Sequence, residues 1–214
     1  MIKVARLTFI TEQTFQKRDA EKLRGYFGTI YKEEDLFHNH FDNNKVIYRM
    51  PLIQYKIIDG MLNIFGLNEA VPVLADKFLK VKEIKINDQV ITHFETQISI
   101  KEEKFYIADE LYSYIFESLW LPVNQKNYLA YINNKLDLNK VLQNNILTNF
   151  KGLGINADKK IMAKGEFKEK NVFINNIEHF AFTGEFVSNV KMPDYMSVGK
   201  NRAIGFGSVV RSEE

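Results

Sequence analysis

Residues 46–67 read VIYRMPLIQYKIIDGMLNIFGL and contain two runs rich in β-branched and aromatic residues, Val46–Ile58 and Met61–Leu67. Asp59-Gly60 joins the runs, and an Asp-Gly pair between β-rich segments is the strongest short-range signal for a hairpin, because its turn needs positive φ angles. Pro51 has no amide proton to donate to a sheet, so we expect it at an edge or a bulge. The stretch therefore predicts an antiparallel hairpin.

The segments around this hairpin predict an alternation of strands and helices. Apolar periodicity predicts a strand at 2–10 and, after it, a helix that Asp19 caps and that runs to about Phe27, where Gly25 or Gly28 ends it. A second helix is predicted at 69–80, capped by Asn68. A further strand contains Ile84, Ile86 and Ile91. The resulting order, strand-helix-strand-strand-helix-strand, is ferredoxin-like.

The second half predicts parts of the same plan. Its expected elements are a strand at 94–100, helices at 109–119 and 138–150, and strands at 161–166, 172–174 and 180–190, the last interrupted by Gly184. Asn144-Asn145 belongs to a set of Asn pairs that we interpret as turn formers or helix caps. Trp120 stands in an apolar run and is expected in the core, with a base-stacking platform as the alternative.

Composition limits the class of protein. The 214 residues suffice for one large domain or two domains of about 100 residues. Lysine plus arginine (29) barely exceeds aspartate plus glutamate (27), so any surface for nucleic acid must come from local clustering of charge.

The absence of cysteine excludes disulfides, a thiolate nucleophile and cysteine-ligated metal. The N-terminus lacks the pattern of a signal peptide and no apolar run approaches ~20 residues, so we expect a soluble cytoplasmic protein without membrane contact.

Residues 197–210, SVGKNRAIGFGSVV, form a basic segment punctuated by glycine that leads into an apolar strand. Lys200 and Arg202 supply positive charge for a phosphate backbone. The glycines allow the main chain to come close to such a ligand, so that backbone amides can donate hydrogen bonds to it. The spacing differs from a P-loop, in which Lys-Ser/Thr follows the last glycine and opens a helix. Two interpretations stand: a ligand loop or an ordinary structural turn.

His38 and His40 stand in the hexapeptide LFHNHF, residues 36–41. Histidine can donate and accept protons near neutral pH, so a close pair suits general acid and base chemistry. The other interpretations are a surface or packing role and a metal site, but zinc would need further ligands from His93, His179, Asp35 or Asp42, none of which has suggestive spacing. We expect His93 and His179 to be packed or edge residues, and neither metal nor cofactor.

Two segments carry a family resemblance. GKNRAIGFGSV at 199–209 resembles the C-terminal glycine-rich signature of the CRISPR-associated endoribonucleases of the RAMP superfamily. LFHNHF, followed by YRMPLIQYK at 48–56, resembles the N-terminal domain of the Cas-six type, b subgroup. The resemblance implies an α+β chain of tandem ferredoxin-like (RAMP/RRM-like) folds, with antiparallel sheets and helices on one face. It also implies two domains, residues 1–100 with the histidine pair and residues 101–214 with the glycine-rich loop.

The resemblance also implies an activity and the residues that serve it. The expected enzyme is a metal-independent endoribonuclease that cuts CRISPR precursor RNA within its repeats, by 2′-OH attack that leaves 2′,3′-cyclic phosphate and 5′-OH ends. His38 and His40 are its expected catalytic residues, with the roles of base and acid left open. The expected RNA contacts are Gly199, Lys200, Arg202, Gly205, Phe206 and Gly207, with Arg49 and Lys56 on the hairpin.

Alternatives remain for the hairpin and for the function. The hairpin contains two pairs of an aromatic and a basic residue, Tyr48-Arg49 and Tyr55-Lys56. Such an alternation is typical of a solvated sheet face as well as of an RNA-binding strand. A non-catalytic RNA-binding RAMP subunit would share the fold and the glycine-rich loop, and a metal-dependent nuclease would lose activity to a chelator. Repeat RNA is the expected partner, with subunits of a CRISPR effector complex and a second copy of the chain as further candidates.

Overall fold

The computed structural model describes residues 1–34, 36–37, 50–174 and 176–212. The chain divides into two compact units: Met1–Glu103 with Ala203–Gly205, and Lys104–Arg202 with Phe206–Glu214. Each unit contains one four-stranded antiparallel sheet. Within the described residues, no helix has the length and apolar character to cross a bilayer.

The first unit has the ferredoxin-like order of elements with one small insertion. Its elements are β1 (Ile2–Ile10), α1 (Asp19–Ile30), β2 (Ile53–Ile58), β3 (Met61–Leu67), α2 (Ala70–Phe78), β4 (Ile84–Ile86), β5 (Gln89–Ile91) and β6 (Glu95–Glu103). The sheet order is β2-β3-β1-β6, and β4 and β5 pair with each other as a separate hairpin. The predicted turn at Asp59-Gly60 is confirmed, with φ of 51° and 73°.

One face of this sheet forms a core with the helices. Leu7 and Phe9 of β1 are fully buried, as their alternation predicts. Phe27 of α1 stacks with Phe9 at 6.1 Å between ring centroids and meets Phe78 of α2 edge to face at 4.7 Å. The two helices therefore cover the same apolar face. The opposite face of the sheet is mixed, with polar side chains such as Arg6 beside the buried Val4 and Phe65.

Two predicted details of the first unit are wrong. Asp19 is the first residue of α1, and the helix continues through both Gly25 and Gly28 to Ile30, because burial of Leu23 and Phe27 outweighs the low helix propensity of glycine. Asn68 does not cap α2: it has a φ of 48°, and its Oδ1 accepts a hydrogen bond from the Lys3 amide at 3.1 Å.

The predicted fourth strand is also misplaced. Residues 84–91 form the β4-β5 hairpin, and β6, at Glu95–Glu103, completes the sheet by pairing along the full length of β1. The sequence pattern predicts the strand at 94–100 as part of the second half of the chain, whereas β6 belongs to the first unit. Three-residue strands are too short to cover β1, whereas the nine residues of β6 match it.

The second unit repeats the sheet order of the first. Its elements are β7 (Tyr106–Phe116), α3 (Tyr128–Ile132), α4 (Leu138–Gly152), β8 (Ala163–Ile174), β9 (Ile177–Lys191) and β10 (Val209–Arg211). In the order β10-β7-β9-β8, the unit's last strand, β10, lies beside its first strand, β7, and its third strand, β9, lies beside its second, β8. The first unit has the same arrangement. Between β9 and β10 the described residues contain a 3-10 turn, Arg202–Ile204, and no α-helix. The α+β fold of tandem ferredoxin-like units with antiparallel sheets is thus confirmed.

The prediction for the second unit is wrong in two places. Residues 109–119, expected to be helical, belong largely to β7, where Tyr112, Tyr114 and Phe116 alternate into the core. Ile115 lies on the exposed face of the strand. Because apolar residues then occur on both faces, the sequence lacks the alternation of a strand and predicts a helix instead. The two strands expected at 161–166 and 172–174 are one strand, β8, because its exposed polar middle pairs continuously with β9.

Candidate nucleic-acid interface

The glycine-rich segment is closed at its base into a loop. An antiparallel bridge joins Ser197 to Ser208, and the Val198 amide donates to the Gly207 carbonyl at 2.9 Å. One step outward, the Val209 amide donates to the Met196 carbonyl at 3.0 Å. We call residues 198–207 the glycine loop. Its two ends are fixed to each other, so its tip is presented from a defined base.

Two glycines meet requirements that other residues would not. Gly207 has a φ of 67°, and a Cβ there would lie 1.9 Å from the Val198 carbonyl oxygen. Gly199 has a φ of 88°, and its Cβ would lie 2.8 Å from Nε1 of Trp120. Both conformations are unfavourable for residues with a side chain. These two positions therefore have structural reasons to be glycine, whatever the loop binds.

Some backbone amides of the glycine loop already have acceptors within the protein. The Gly207 amide donates to the Leu119 carbonyl at 2.8 Å, and the Lys200 amide donates to the Leu121 carbonyl at 3.4 Å. The Phe206 amide donates to the Asn201 carbonyl at 3.4 Å. The expectation that amides of the loop cradle phosphate is therefore wrong for these three and for the Val198 amide at the base of the loop.

Two asparagines of α4, one helical turn apart, support the loop. Asn145 Oδ1 accepts a hydrogen bond from Trp120 Nε1 at 3.0 Å. Asn149 is fully buried, and its Nδ2 donates to the Ser197 carbonyl at 3.0 Å. Asn149 Oδ1 accepts a further hydrogen bond from the Arg202 guanidinium. The interpretation of Asn144-Asn145 as a turn is wrong, because α4 includes it.

Asn149 was missed by the sequence analysis although the pattern contains a signal for it. The buried face of α4 consists of Leu142, Ile146 and Phe150, and Asn149 lies on that face. A polar residue at a core position of an amphipathic helix must satisfy both amide groups inside the protein. Its position therefore indicates an internal polar contact, which the structure shows to be with the loop.

Arg202 is the most unusual charge of the loop. Its guanidinium is largely buried, and burial lowers its pKa to about 10. Within the described residues, no carboxylate forms an ion pair with it, and the neutral Asn149 is its side-chain partner. A buried cation without an opposite charge is costly, and features that cost stability are expected at functional or strained sites.

The other predicted contacts of the loop differ in exposure. Lys200 is exposed. Phe206 is half-buried and packs against the cluster of Leu121, Ile174 and Ala181, so only part of its side chain is available to a ligand. His179 of β9 is half-buried, and burial, with a smaller contribution from the charge of Lys200, lowers its pKa. His179 is therefore neutral at pH 7 and lies near the loop, which its isolation in sequence did not indicate.

Family models cover nearly the whole chain. The Cas6b N-terminal domain matches residues 1–104, and the Cas6b C-terminal domain matches residues 106–212. The chain belongs to the Cas6b family.

Individual relatives agree with this assignment. The chain is similar to a crystal structure of Cas6b with a TM-score of 0.92 and 32% identity, over 99% of this chain and 100% of the other. A structure described as the CRISPR RNA processing endoribonuclease Cas6b matches with a TM-score of 0.73 and 28% identity over the same shares. An uncharacterised protein of Methanocaldococcus jannaschii is 32% identical over 149 residues, 66% of this chain and all of that protein.

The histidine pair predicted for this Cas6b family member belongs to the part of the chain that the structure does not describe. His38, His40, Tyr48 and Arg49 lie outside the described residues, so their roles stay predictions. Of the remaining histidines, His93 is exposed and contacts the Thr92 hydroxyl through Nδ1 at 3.1 Å. Among the described residues, no group of three or more His, Cys, Asp or Glu side chains could hold a metal ion.

The hairpin residues Tyr55 and Lys56 are not on a solvated face. Lys56 is only 2% exposed, and its Nζ lies 5.5 Å from the ring centroid of Phe65 on β3. Within the same unit, a Cβ on Gly205 would lie 2.9 Å from the Tyr55 carbonyl oxygen, so the backbone of Gly205 approaches β2 closely. The solvated-face interpretation is wrong for these residues, and in this position Lys56 is not accessible to a large ligand.

Proposed function

We propose that the chain is a metal-independent endoribonuclease that cuts CRISPR repeat RNA. Membership of the Cas6b family supports this, as does its similarity to a protein described as a CRISPR RNA processing endoribonuclease. The single observation that carries the proposal is Arg202, a largely buried cation without a carboxylate partner among the described residues, in a loop with the exposed Lys200. A ribose-phosphate backbone supplies the missing negative charge.

The glycine loop contributes binding and electrostatic stabilisation in this proposal. Phosphate oxygens form strong, charge-assisted hydrogen bonds with a guanidinium, and the planar fork of arginine suits two of them at once. Lys200 adds a flexible point charge at the surface of the loop. Because negative charge grows on the phosphate during cleavage, a cation held near it stabilises the transition state more than the bound substrate.

His38 and His40 perform the proton transfers in the proposed reaction. One imidazole takes the proton of a ribose 2′-OH, whose oxygen attacks the adjacent phosphorus. The bond from phosphorus to the 5′ oxygen breaks, and the other histidine donates a proton to that leaving oxygen. The products are a 2′,3′-cyclic phosphate and a 5′-hydroxyl, which would be the end groups of mature crRNA. This chemistry needs a base, an acid and positive charge at the phosphate, and no metal.

The test compares the wild type with a His38→Ala, His40→Ala variant on labelled repeat RNA in excess chelator. We expect one cut that ends in a cyclic phosphate, and a variant that binds the RNA with wild-type affinity without cutting it. Tight binding without cleavage by the wild type would contradict the proposal in favour of an RNA-holding RAMP subunit. Cleavage that requires a divalent metal would contradict the proposed mechanism.

A further inference from the structure

Arg202 is held by an amide rather than by a carboxylate. The guanidinium donates to Oδ1 of Asn149, and the Nδ2 of the same side chain donates to the Ser197 carbonyl at 3.0 Å. Asn149 therefore links α4 to both the base of the glycine loop and its arginine. Because Asn149 is fully buried, its amide has a single orientation, fixed by these two partners.

The choice of amide has an electrostatic consequence. A carboxylate at this position would accept the same hydrogen bond from Arg202 and cancel its charge, although it could not donate to the Ser197 carbonyl. The neutral amide orients the guanidinium, and no carboxylate among the described residues cancels its charge. A guanidinium has five N–H donors, and the contact with Asn149 uses one nitrogen, which leaves donors for a second group.

We propose that Asn149 is a positioning residue that holds Arg202, with its charge uncompensated, for a single phosphate group. The identification of that phosphate with the RNA backbone rests on the function proposed above. The proposal differs from a purely structural role, in which Asn149 only fastens the loop to α4 through Ser197.

Asn145 provides a matched control on the same helix. It lies one turn before Asn149, supports the same loop through Trp120, and loses a comparable hydrogen bond when it is shortened to alanine. Its side-chain hydrogen bond is with Trp120, whereas that of Arg202 is with Asn149. Asn145→Ala therefore perturbs the support of the loop without altering the orientation of the guanidinium.

The first experiment measures the affinity for repeat RNA at several salt concentrations. A protein that loses one phosphate contact loses about 0.7 from the slope of log K against log salt on single-stranded nucleic acid. We expect Asn149→Ala to reduce the affinity for RNA on the order of tenfold and to reduce the magnitude of the salt slope by about 0.7. Asn145→Ala should keep the wild-type slope. Equal slopes in the wild type and in Asn149→Ala would overturn the proposal.

The second experiment adds the carboxylate. Asn149→Asp should pair with Arg202 and reduce RNA affinity as much as Arg202→Gln does, and combining the two changes should cause no further loss. Melting temperatures of all variants show whether each is folded at the assay temperature. Wild-type RNA affinity in Asn149→Asp would overturn the proposal, because the charge of Arg202 would then be irrelevant.

A third measurement separates this proposal from the proposed function. Inorganic pyrophosphate should raise the melting temperature of the wild type and of Asn145→Ala, but not that of Asn149→Ala or Arg202→Gln. If repeat RNA fails to bind while this pattern holds, the proposed function is wrong and the phosphate site stands. If RNA binds while pyrophosphate stabilises all four proteins equally, the phosphate site is wrong and RNA binding stands.

Discussion

Gly199 lies against the indole of Trp120, so closely that a Cβ at this glycine would come within 2.8 Å of Nε1. Trp120 is fully buried, stacks on Phe116 at 5.2 Å, and donates its indole proton to Asn145. The glycine loop therefore starts from the packed core of the second unit. A cation presented from such a base is preorganised, which reduces the entropy lost on binding a ligand.

Removing the charge of Arg202 should stabilise the fold while it weakens RNA binding. Burial lowers the pKa of Arg202 from 12.5 to about 10, so the charged form is destabilised in the folded protein at neutral pH. We expect Arg202→Gln to raise the free energy of unfolding by about 1 kcal/mol and to lower RNA affinity. Urea denaturation and RNA titration measure the two effects.

Lys200→Gln is the control, because Lys200 is exposed and has no burial cost to recover. It should weaken RNA binding without changing the free energy of unfolding. Loss of stability in Arg202→Gln larger than in Lys200→Gln would contradict the interpretation of Arg202 as a strained cation.

Gly207→Ala should unfold the base of the glycine loop. Its Cβ would overlap the Val198 carbonyl, and its φ is 67°. Gly154 has the same φ of 67° but open space around it, so Gly154→Ala isolates the backbone cost, about 1 kcal/mol. We expect Gly207→Ala to cost at least about 3 kcal/mol in urea denaturation, because a steric overlap adds to that strain. Equal costs for the two variants would show that the loop relaxes freely.

Two buried tyrosines should respond oppositely to loss of the hydroxyl. Tyr55 is buried, and its hydroxyl has no hydrogen-bond partner among the described residues. Tyr114 is equally buried, but its hydroxyl donates to the Val190 carbonyl and accepts from the Met192 amide. Tyr55→Phe should be neutral or stabilising by about 1 kcal/mol, whereas Tyr114→Phe should cost about 1–3 kcal/mol. A destabilised Tyr55→Phe would reveal a partner for that hydroxyl.

His179 should make the fold less stable in mild acid. Burial and, to a smaller extent, the charge of Lys200 lower the pKa of His179 below its usual 6.5, so in mild acid the unfolded chain binds a proton more readily than the folded protein does. Stability is therefore greatest above pH 6.5 and falls as the pH drops through that value toward the lowered folded pKa. We expect the melting temperature of His179→Gln to fall less between pH 7 and pH 5.5 than that of the wild type. Parallel curves would exclude His179 as the cause.

Much of the first unit could be predicted from sequence because its signals are local. The Asp59-Gly60 turn fixes the β2-β3 hairpin, and the alternation of β1 gives its buried face. The errors arose where the deciding interaction is distant. In β7, pairing with β9 is interrupted by a register shift between Ile107 and Tyr112, so strict alternation is lost and the apolar density resembles a helix.

The candidate site was predictable in its basic residues but not in its support. Lys200 and Arg202 stand out in a glycine-rich segment, as the sequence analysis states. The role of Asn149 depends on a contact across 53 residues with Arg202, which no local pattern encodes. The burial of Lys56 likewise depends on tertiary packing, so a strand pattern of alternating aromatic and basic residues suggested a solvated face that the structure does not have.

The most direct test of the proposed function replaces one ribose in the repeat RNA. A substrate with a single 2′-deoxy nucleotide on the 5′ side of the cut site is incubated with the wild-type protein in excess chelator, beside the unmodified RNA. We predict that both RNAs bind with similar affinity, that the unmodified RNA is cut to a 2′,3′-cyclic phosphate, and that the deoxy RNA stays intact. Cleavage of the deoxy RNA at the same position would contradict 2′-OH attack and, with it, the proposed mechanism.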